Sequence, residues 1–289
     1  LATRDLRPNK EIAIAFEPGE SYALAVMKET VYDTHSDPQY FAHLNPKQVK
    51  TYNYVVLDLT TAQTANIEQL SALFTSAIPV SVSETDYLYN EGYKARNIQG
   101  LPTETRVLNP QNQTEILAKN QFLYDEQGQY YSMVDYGSTT GYEAPTGDYA
   151  HLRGNVTTLR TWNKDANSWI EIHEQSDNFG NLRKAWDSSG DSNRFVEIEY
   201  SSQYFFAYPT RKITPAPGNG TNGTTEGSSA STTYDFTTGV PLTVTDANGQ
   251  VTSFEYDSLL RPKKVIPPAG GAISEKEYSD TPGNLFVKS

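Results

Sequence analysis

Cysteine is absent from the 289 residues. That excludes disulfides and thiolate metal ligands and leaves the redox compartment open. No run of about 18 apolar residues occurs, so no membrane-spanning helix and no membrane insertion is expected. Basic residues are scarce. Lys and Arg number 23 against 35 Asp and Glu, a net charge of −12, and no basic run is longer than Arg211-Lys212 or Lys263-Lys264. Phosphate backbones are bound by Lys and Arg clusters, so nucleic acid is not expected as a partner. Histidine is limited to His35, His43, His151 and His173. None falls in a His-Glu-x-x-His pair, and there is no Gly-x-Ser-x-Gly elbow, Walker loop or dinucleotide fingerprint. No catalytic residue, cofactor or metal ligand is therefore expected, and the chain is read as a non-enzyme. An enzyme with paired carboxylates, such as a glycoside hydrolase, is the least favoured reading, because carboxylates recur along the chain without marking a pair.

Helical periodicity is also nearly missing. Only Ile67–Ala77 places Ile67, Leu70, Leu73 and Phe74 at helical spacing. The chain opens LATRDLRPNK, without an initiator methionine or signal peptide, and ends within the apolar run Leu285–Val287, as expected of a piece of something longer.

What is present is tyrosine, 20 residues in a lean 37% hydrophobic composition, which suits sheets with one wetted face. Period-two runs predict strands over Glu11–Phe16, Tyr22–Tyr32, Thr51–Leu59, Glu104–Leu108, Glu115–Tyr124, Tyr130–Tyr136, Asn155–Asn163, Ser168–Gln175, Leu182–Trp186, Phe195–Tyr200 and Thr210–Thr214. His35–Gln48 and Gly137–Gly154 read as loops. The Gly/Ser/Thr/Asn stretch 218–231 reads as a mobile loop joining two hairpins.

The C-terminal third repeats. Tyr234, Tyr256 and Tyr278 stand 22 residues apart, Gly249 and Gly271 keep that offset, and so do Glu255 and Glu277. Such a period marks a repeat architecture. Each unit reads as a hairpin followed by a turn: Val251–Tyr256, a polar connection, Arg261–Ile266, then the Pro267–Gly271 breaker. Asp246-Ala247-Asn248-Gly249 supplies the strongest short hairpin signal.

Tyr-Asp followed by a turn and an apolar strand, in tandem, resembles the YD-repeat (RHS-repeat) family, whose pattern is roughly Tyr-Asp-x-x-Gly-Arg-Leu. Tyr124, Asp125 and Gly128 follow it closely. Asp177 and Gly180 follow it with Ser176 in place of the tyrosine. Tyr234, Asp235 and Gly239 carry one extra residue. Tyr256-Asp257 has Leu260 where glycine is usual, and Tyr278-Ser279 is looser. The resemblance covers about 100–289, leaving 1–99 as a divergent β-rich N-terminal region. It implies an all-β fold of tandem antiparallel β-hairpins in a coiled ribbon or shell segment. It also implies a non-catalytic structural role in an extracellular or cell-surface bacterial protein, as part of a β-shell or a self-assembling filament. The partners would be other copies of the chain or the remainder of a longer one. RHS shells that enclose toxins end in an autoprotease segment containing Asp-Pro-x-Gly; here Asp37-Pro38 continues Gln39-Tyr40, so an interior or N-terminal part of such a shell is expected.

The alternative is a carbohydrate-binding adhesin with glycans as partners, using Trp162, Trp169 and the Tyr204–Tyr208 grouping. In a sheet such rings more often pack across strands. Asp187–Asn193 could suggest calcium but lacks EF-hand spacing and reads as a turn. Asn112, Asn155, Asn219 and Asn222 are possible glycosylation sequons.

Overall fold

The computed structural model describes residues 8–128, 132–187, 194–215, 227–282 and 284–288. The chain forms two compact units, Leu1–Glu126 with Pro145–Glu171, and Gln127–Ala144 with Ile172–Ser289. Residues 127–144 thus belong to the second unit although they interrupt the first in sequence.

In the first unit β1 (Lys10–Phe16) pairs antiparallel with β2 (Tyr22–Tyr32). The other edge of β2 is shared by β3 (Pro46–Thr51) and β4 (Val55–Asp58). From β3 the sheet continues through β5 (Ser81–Tyr87), β6 (Pro102–Leu108), β7 (Ile116–Tyr124) and β8 (Val156–Asn163), every neighbour antiparallel. Strict alternation in β2 sends Ala23, Ala25 and Met27 to one face. The small side chains of Ala23 and Ala25 let α1 (Leu59–Thr64) and α2 (Ile67–Ala72) approach, and Leu57, Ala62, Leu70, Phe74 and Tyr52 close a core with Met27 over them. A third short helix, α3 (Glu91–Ala95), is capped by the Asn90 side chain, which accepts from the Gly92 and Tyr93 amides.

Several expectations for this unit are corrected. The strand expected over Thr51–Leu59 is two strands, broken where Asn53 folds its carboxamide onto the Tyr54 amide. It ends at Asp58, whose carboxylate accepts from Thr61 N and starts α1; side-chain capping beat β-propensity there. The predicted loop His35–Gln48 ends three residues early, since β3 begins at Pro46. The expected helix 67–77 stops at Ala72, although its start is fixed by a reciprocal Asn66–Gln69 capping box. Neither α1, α3 nor β5 was legible beforehand.

In the second unit the part of β9 (Ser168–Ser176) from Ile172 onward pairs with β10 (Leu182–Asp187). The ladder proceeds through β11 (Phe195–Tyr200), β12 (Pro209–Ile213), β13 (Ser229–Tyr234), β14 (Pro241–Thr245), β15 (Val251–Tyr256), β16 (Pro262–Ile266) and β17 (Ser274–Glu275). A separate hairpin, β18 (Glu277–Thr281) with β19 (Asn284–Lys288), follows. The fold is all-β in the main, built of tandem antiparallel hairpins. Among the described residues of this unit Tyr204 is the sole buried hydrophobic side chain, so apolar burial contributes little to holding it together. The strand expected over Tyr130–Tyr136 is not formed in its described part; Val134 makes one parallel bridge to Asp177 instead. The loop 218–231 is shortened by β13, which starts at Ser229. Asn219, Asn222 and most of the 187–193 turn lie outside the described residues.

Candidate functional site

Sheets with so little core must be stabilised elsewhere, and the hairpin ends are where the polar groups converge. At each Tyr-Asp step the register slips by one residue just before the tyrosine. Thr233 faces Thr243 but Tyr234 faces Pro241; Glu255 faces Lys264 but Tyr256 faces Pro262. The same slip occurs at Tyr32 opposite Pro46, Tyr87 opposite Pro102 and Tyr200 opposite Pro209. Proline has no N–H to give the ladder, so it is tolerated at a strand's first residue beside such a bulge.

The tyrosine hydroxyls then reach backward. Tyr256 donates to the Pro241 carbonyl at 2.8 Å, Tyr278 to Pro262 at 2.8 Å and Tyr234 to Pro209 at 2.8 Å. In the first unit Tyr124 donates to Pro102 at 2.7 Å, Tyr87 to Pro46 at 3.0 Å and Tyr32 to Pro8 at 3.3 Å. Each hydroxyl thus ties its hairpin to the proline that opened the previous one. The geometry extends into residues 1–99, where the sequence resemblance does not reach. Burial pushes the Tyr124 phenol up to about 12 and raises those of Tyr87, Tyr234 and Tyr256.

The aspartate closes the turn. The Asp257 amide donates to Arg261 O at 3.1 Å, while its carboxylate accepts from the Leu259 and Arg261 amides at 2.9 Å. Asp177, fully buried, repeats this with Phe179 and Asn181. Asp235 takes the Thr238 amide and hydroxyl, both at 2.8 Å. Asp125 gathers the Gly154 amide at 2.6 Å, the Arg153 amide at 2.7 Å and the Tyr93 hydroxyl at 2.9 Å. The Thr238 hydroxyl and amide hold the Asp235 carboxyl below its ordinary value. For Asp257 burial acts to raise the carboxyl, but the Arg261 and Leu259 amides and the Arg261 guanidinium outweigh it, and the net shift is downward. The glycine of the motif is the residue at positive φ: Gly128 at 141°, Gly180 at 88° and Gly239 at 73°. Leu260 takes that place at φ 61° and bears the strain glycine would avoid.

The aromatic residues weighed for sugar stacking are engaged with one another. Trp162 and Trp169 meet edge to face at 5.1 Å, with the Lys119 ammonium 5.2 and 4.8 Å from their rings. Tyr204 is buried and its hydroxyl accepts from the Tyr234 amide at 3.1 Å. His35 packs between Tyr40 and Tyr89, and among the described residues no group of three or more His, Asp or Glu is placed to hold a metal. Asn112 is exposed at the β6–β7 turn, whereas Asn155 is half-buried with its amide on Asp125.

An open cleft of about 870 Å³ near the end of the second unit is lined by Tyr256, Tyr278 and balanced charges. Of these, Lys264 pairs with Glu275 at 2.8 Å, and Asp257 pairs with Arg261 outside the lining at 2.6 Å.

The acceptor prolines escaped the sequence reading. A recurring Tyr-Asp-(turn)-Pro spacing, short at Tyr256–Pro262 and longer at Tyr32–Pro46, was the available signal.

No family model matches the chain, and no curated protein matches it. Solved structures that resemble it include the crystal structure titled TcdB2-TccC3-TEV, at TM-score 0.45 and 13% identity over 92% of this chain. Two others are TcdB2-TccC3 without its hypervariable C-terminal region (TM-score 0.43, 13% identity, 89% of this chain) and TcdB2-TccC3-Cdc42 (TM-score 0.42, 13% identity, 96% of this chain). The chain spans 14 to 15% of the length of those chains.

Proposed function

We propose that this chain is a non-catalytic wall segment of an extracellular or cell-surface bacterial YD-repeat protein, forming part of a β-shell or of a self-assembling surface filament. The observation that carries the reading is the hydroxyl-to-proline bond repeated at six hairpin ends across both units. A device that recurs at six steps, and that there ties a hairpin to the one before it, serves the extension of a sheet. It spends its polar groups on the backbone rather than presenting them to a substrate. Its partners are then further hairpins, from the same longer chain or from other copies, because an unpaired strand edge is a template for another strand.

Negative-stain electron microscopy of the natively isolated material tests this. Closed hollow particles or filaments with a regular axial repeat are the expected result. Small featureless monomers that bind glycans saturably would overturn it in favour of an adhesin.

A further inference from the structure

One hairpin end departs from the pattern, at Ser176-Asp177-Asn178, where the tyrosine is missing. There the segment 132–137 lies across the hairpin end as a strap. Val134 N donates to Ser176 O at 3.0 Å, and Asn178 N donates to Val134 O at 2.9 Å. The Asn178 carboxamide then reads the strap's main chain twice more. It accepts from Tyr136 N at 3.0 Å and donates to Gly137 O at 2.8 Å. Gln175 Nε2 donates to Ser132 O at 2.6 Å. The strap also brings a ring. Tyr136 stacks on Phe206 at 4.6 Å, Phe206 stacks on Phe179 at 5.0 Å, and the Arg183 guanidinium lies 5.3 Å from the Tyr136 ring. Tyr142 meets Phe179 edge on at 4.8 Å.

The groove is built, not incidental. Asp177, Asn178 and Arg183 are 0, 3 and 7% exposed. These five hydrogen bonds go to main-chain atoms of the strap, which is how an extended peptide is recognised by strand addition, while the aromatic contacts select a side chain. The strap itself belongs to the connection between Tyr124 and Val156, and connections of that length without strands of their own are uncommon, serving as functional loops or as linkers.

We propose that this groove is a peptide-capture site for an extended segment carrying an aromatic residue, filled by the chain's own strap and open to the strap of a second copy. Exchange of an identical element costs little, because each contact made within one copy is remade between two. The capture site does not rest on the wall reading: strap exchange links copies whether or not they build shells or filaments.

The test uses the full chain. Val134→Pro removes the N–H given to Ser176 and lies outside every strand, so it releases the strap and leaves the sheet in place. A fluorescent synthetic peptide of residues 132–144 should bind this variant saturably. It should bind the unaltered chain at least about tenfold more weakly, since a tethered strap competes at an effective concentration on the order of millimolar. Binding should be lost when Asn178→Ala is added, and also when the peptide instead carries Tyr136→Ala, which leaves the protein untouched. Differently tagged Val134→Pro and Asn178→Ala chains should co-purify with each other well above either variant with itself, one supplying the groove and the other the strap. No peptide binding to a folded Val134→Pro chain, binding indifferent to Tyr136→Ala in the peptide, or no preferential co-purification would each overturn the proposal.

Discussion

Replacing Tyr234, Tyr256 and Tyr278 together by phenylalanine isolates the hydroxyl ladder from the rings that carry it. Each substitution removes one donor, at 2.8 Å from a proline carbonyl in every case, and keeps the aromatic packing. A single bond of this kind contributes about 0.5–1.5 kcal/mol net, because the unfolded chain exchanges it for water. The three acceptors, Pro209, Pro241 and Pro262, are distinct. Successive bonds stand two strand spacings apart, roughly 9.6 Å, so the losses should add to about 3 kcal/mol. Against a domain stability of about 5–15 kcal/mol that is a large fraction. Urea unfolding followed by far-UV circular dichroism should show the midpoint falling stepwise through the single, double and triple variants. Tyr54→Phe, on an exposed ring, should leave it unchanged. A triple variant that unfolds with the unaltered chain would refute the reasoning, meaning that water satisfies the carbonyls as well as the phenols do.

Stability should also fall at both ends of the pH range. The phenols of Tyr124, Tyr234 and Tyr256 are raised, so their contribution is complete below about pH 10 and lost as pH climbs through the folded values, near 12 for Tyr124. The carboxyls of Asp235, Asp257 and Asp280 are lowered, so theirs is present above about pH 4 and lost as pH drops through the folded values; thermal melts from pH 2 to 12 read both limbs. At the motif glycine two substitutions should have opposite signs. Leu260→Asn relieves an unfavourable φ of 61° and should add about 0.5–1 kcal/mol, whereas Gly180→Ala at φ 88° should remove about 1 kcal/mol. A Cβ at Gly180 would meet nothing within 4 Å, so any loss measured by denaturation there is backbone strain. Phe74→Ala, at 1% exposure under α2, should cost about 3–5 kcal/mol and expose the amides of β2 and α2 to hydrogen exchange.

The strands between Phe195 and Ile266 were legible because each carries its own period-two pattern and is bounded by turn chemistry, Asp246–Gly249 above all. The first hundred residues were less so. β5 reads SVSETDY, polar on both faces, and its place is set by pairing with β3 and β6 rather than by any apolar alternation. The six-residue helices α1 and α2 are too short for periodicity to register; their side-chain caps and burial over Ala23 and Ala25 make them. The recurrence of Tyr, Asp and Gly was visible as a repeated motif, though not what the aspartate and glycine do at the turn. The proline acceptor was not, because the distance from tyrosine to proline varies with the loop while the bond it makes does not. The strap alternates like a strand at Val134 and Tyr136, but among the described residues it makes a single bridge, at Asp177, and bonds to Ser176 and Asn178 of the hairpin end rather than a ladder.

The division of labour between hairpin ends and strand faces explains why so polar a chain forms extended sheet. On the strands of the first unit Arg106 meets Asp86 at 2.8 Å and Glu104 at 2.8 Å, Lys47 meets Asp86, and Gln121 reaches Glu104 at 2.7 Å. These groups are half-exposed, and pairs of this kind contribute at most about 1 kcal/mol each. They select register, since a one-residue slip would turn every partner to the opposite face, without supplying much energy. The hairpin ends supply it through groups already committed to the backbone: a carboxylate closing the turn, a phenol on the preceding proline. Strand interiors are then free to vary as long as they stay extended, whereas the tyrosine, the aspartate, the residue at positive φ and the proline are not. Ser176 tests that logic from within the chain. With the phenol gone, the hairpin end is covered by another segment, through main-chain bonds to Ser176 and Asn178 and a borrowed tyrosine ring, so what the architecture requires at each step is that the end be closed.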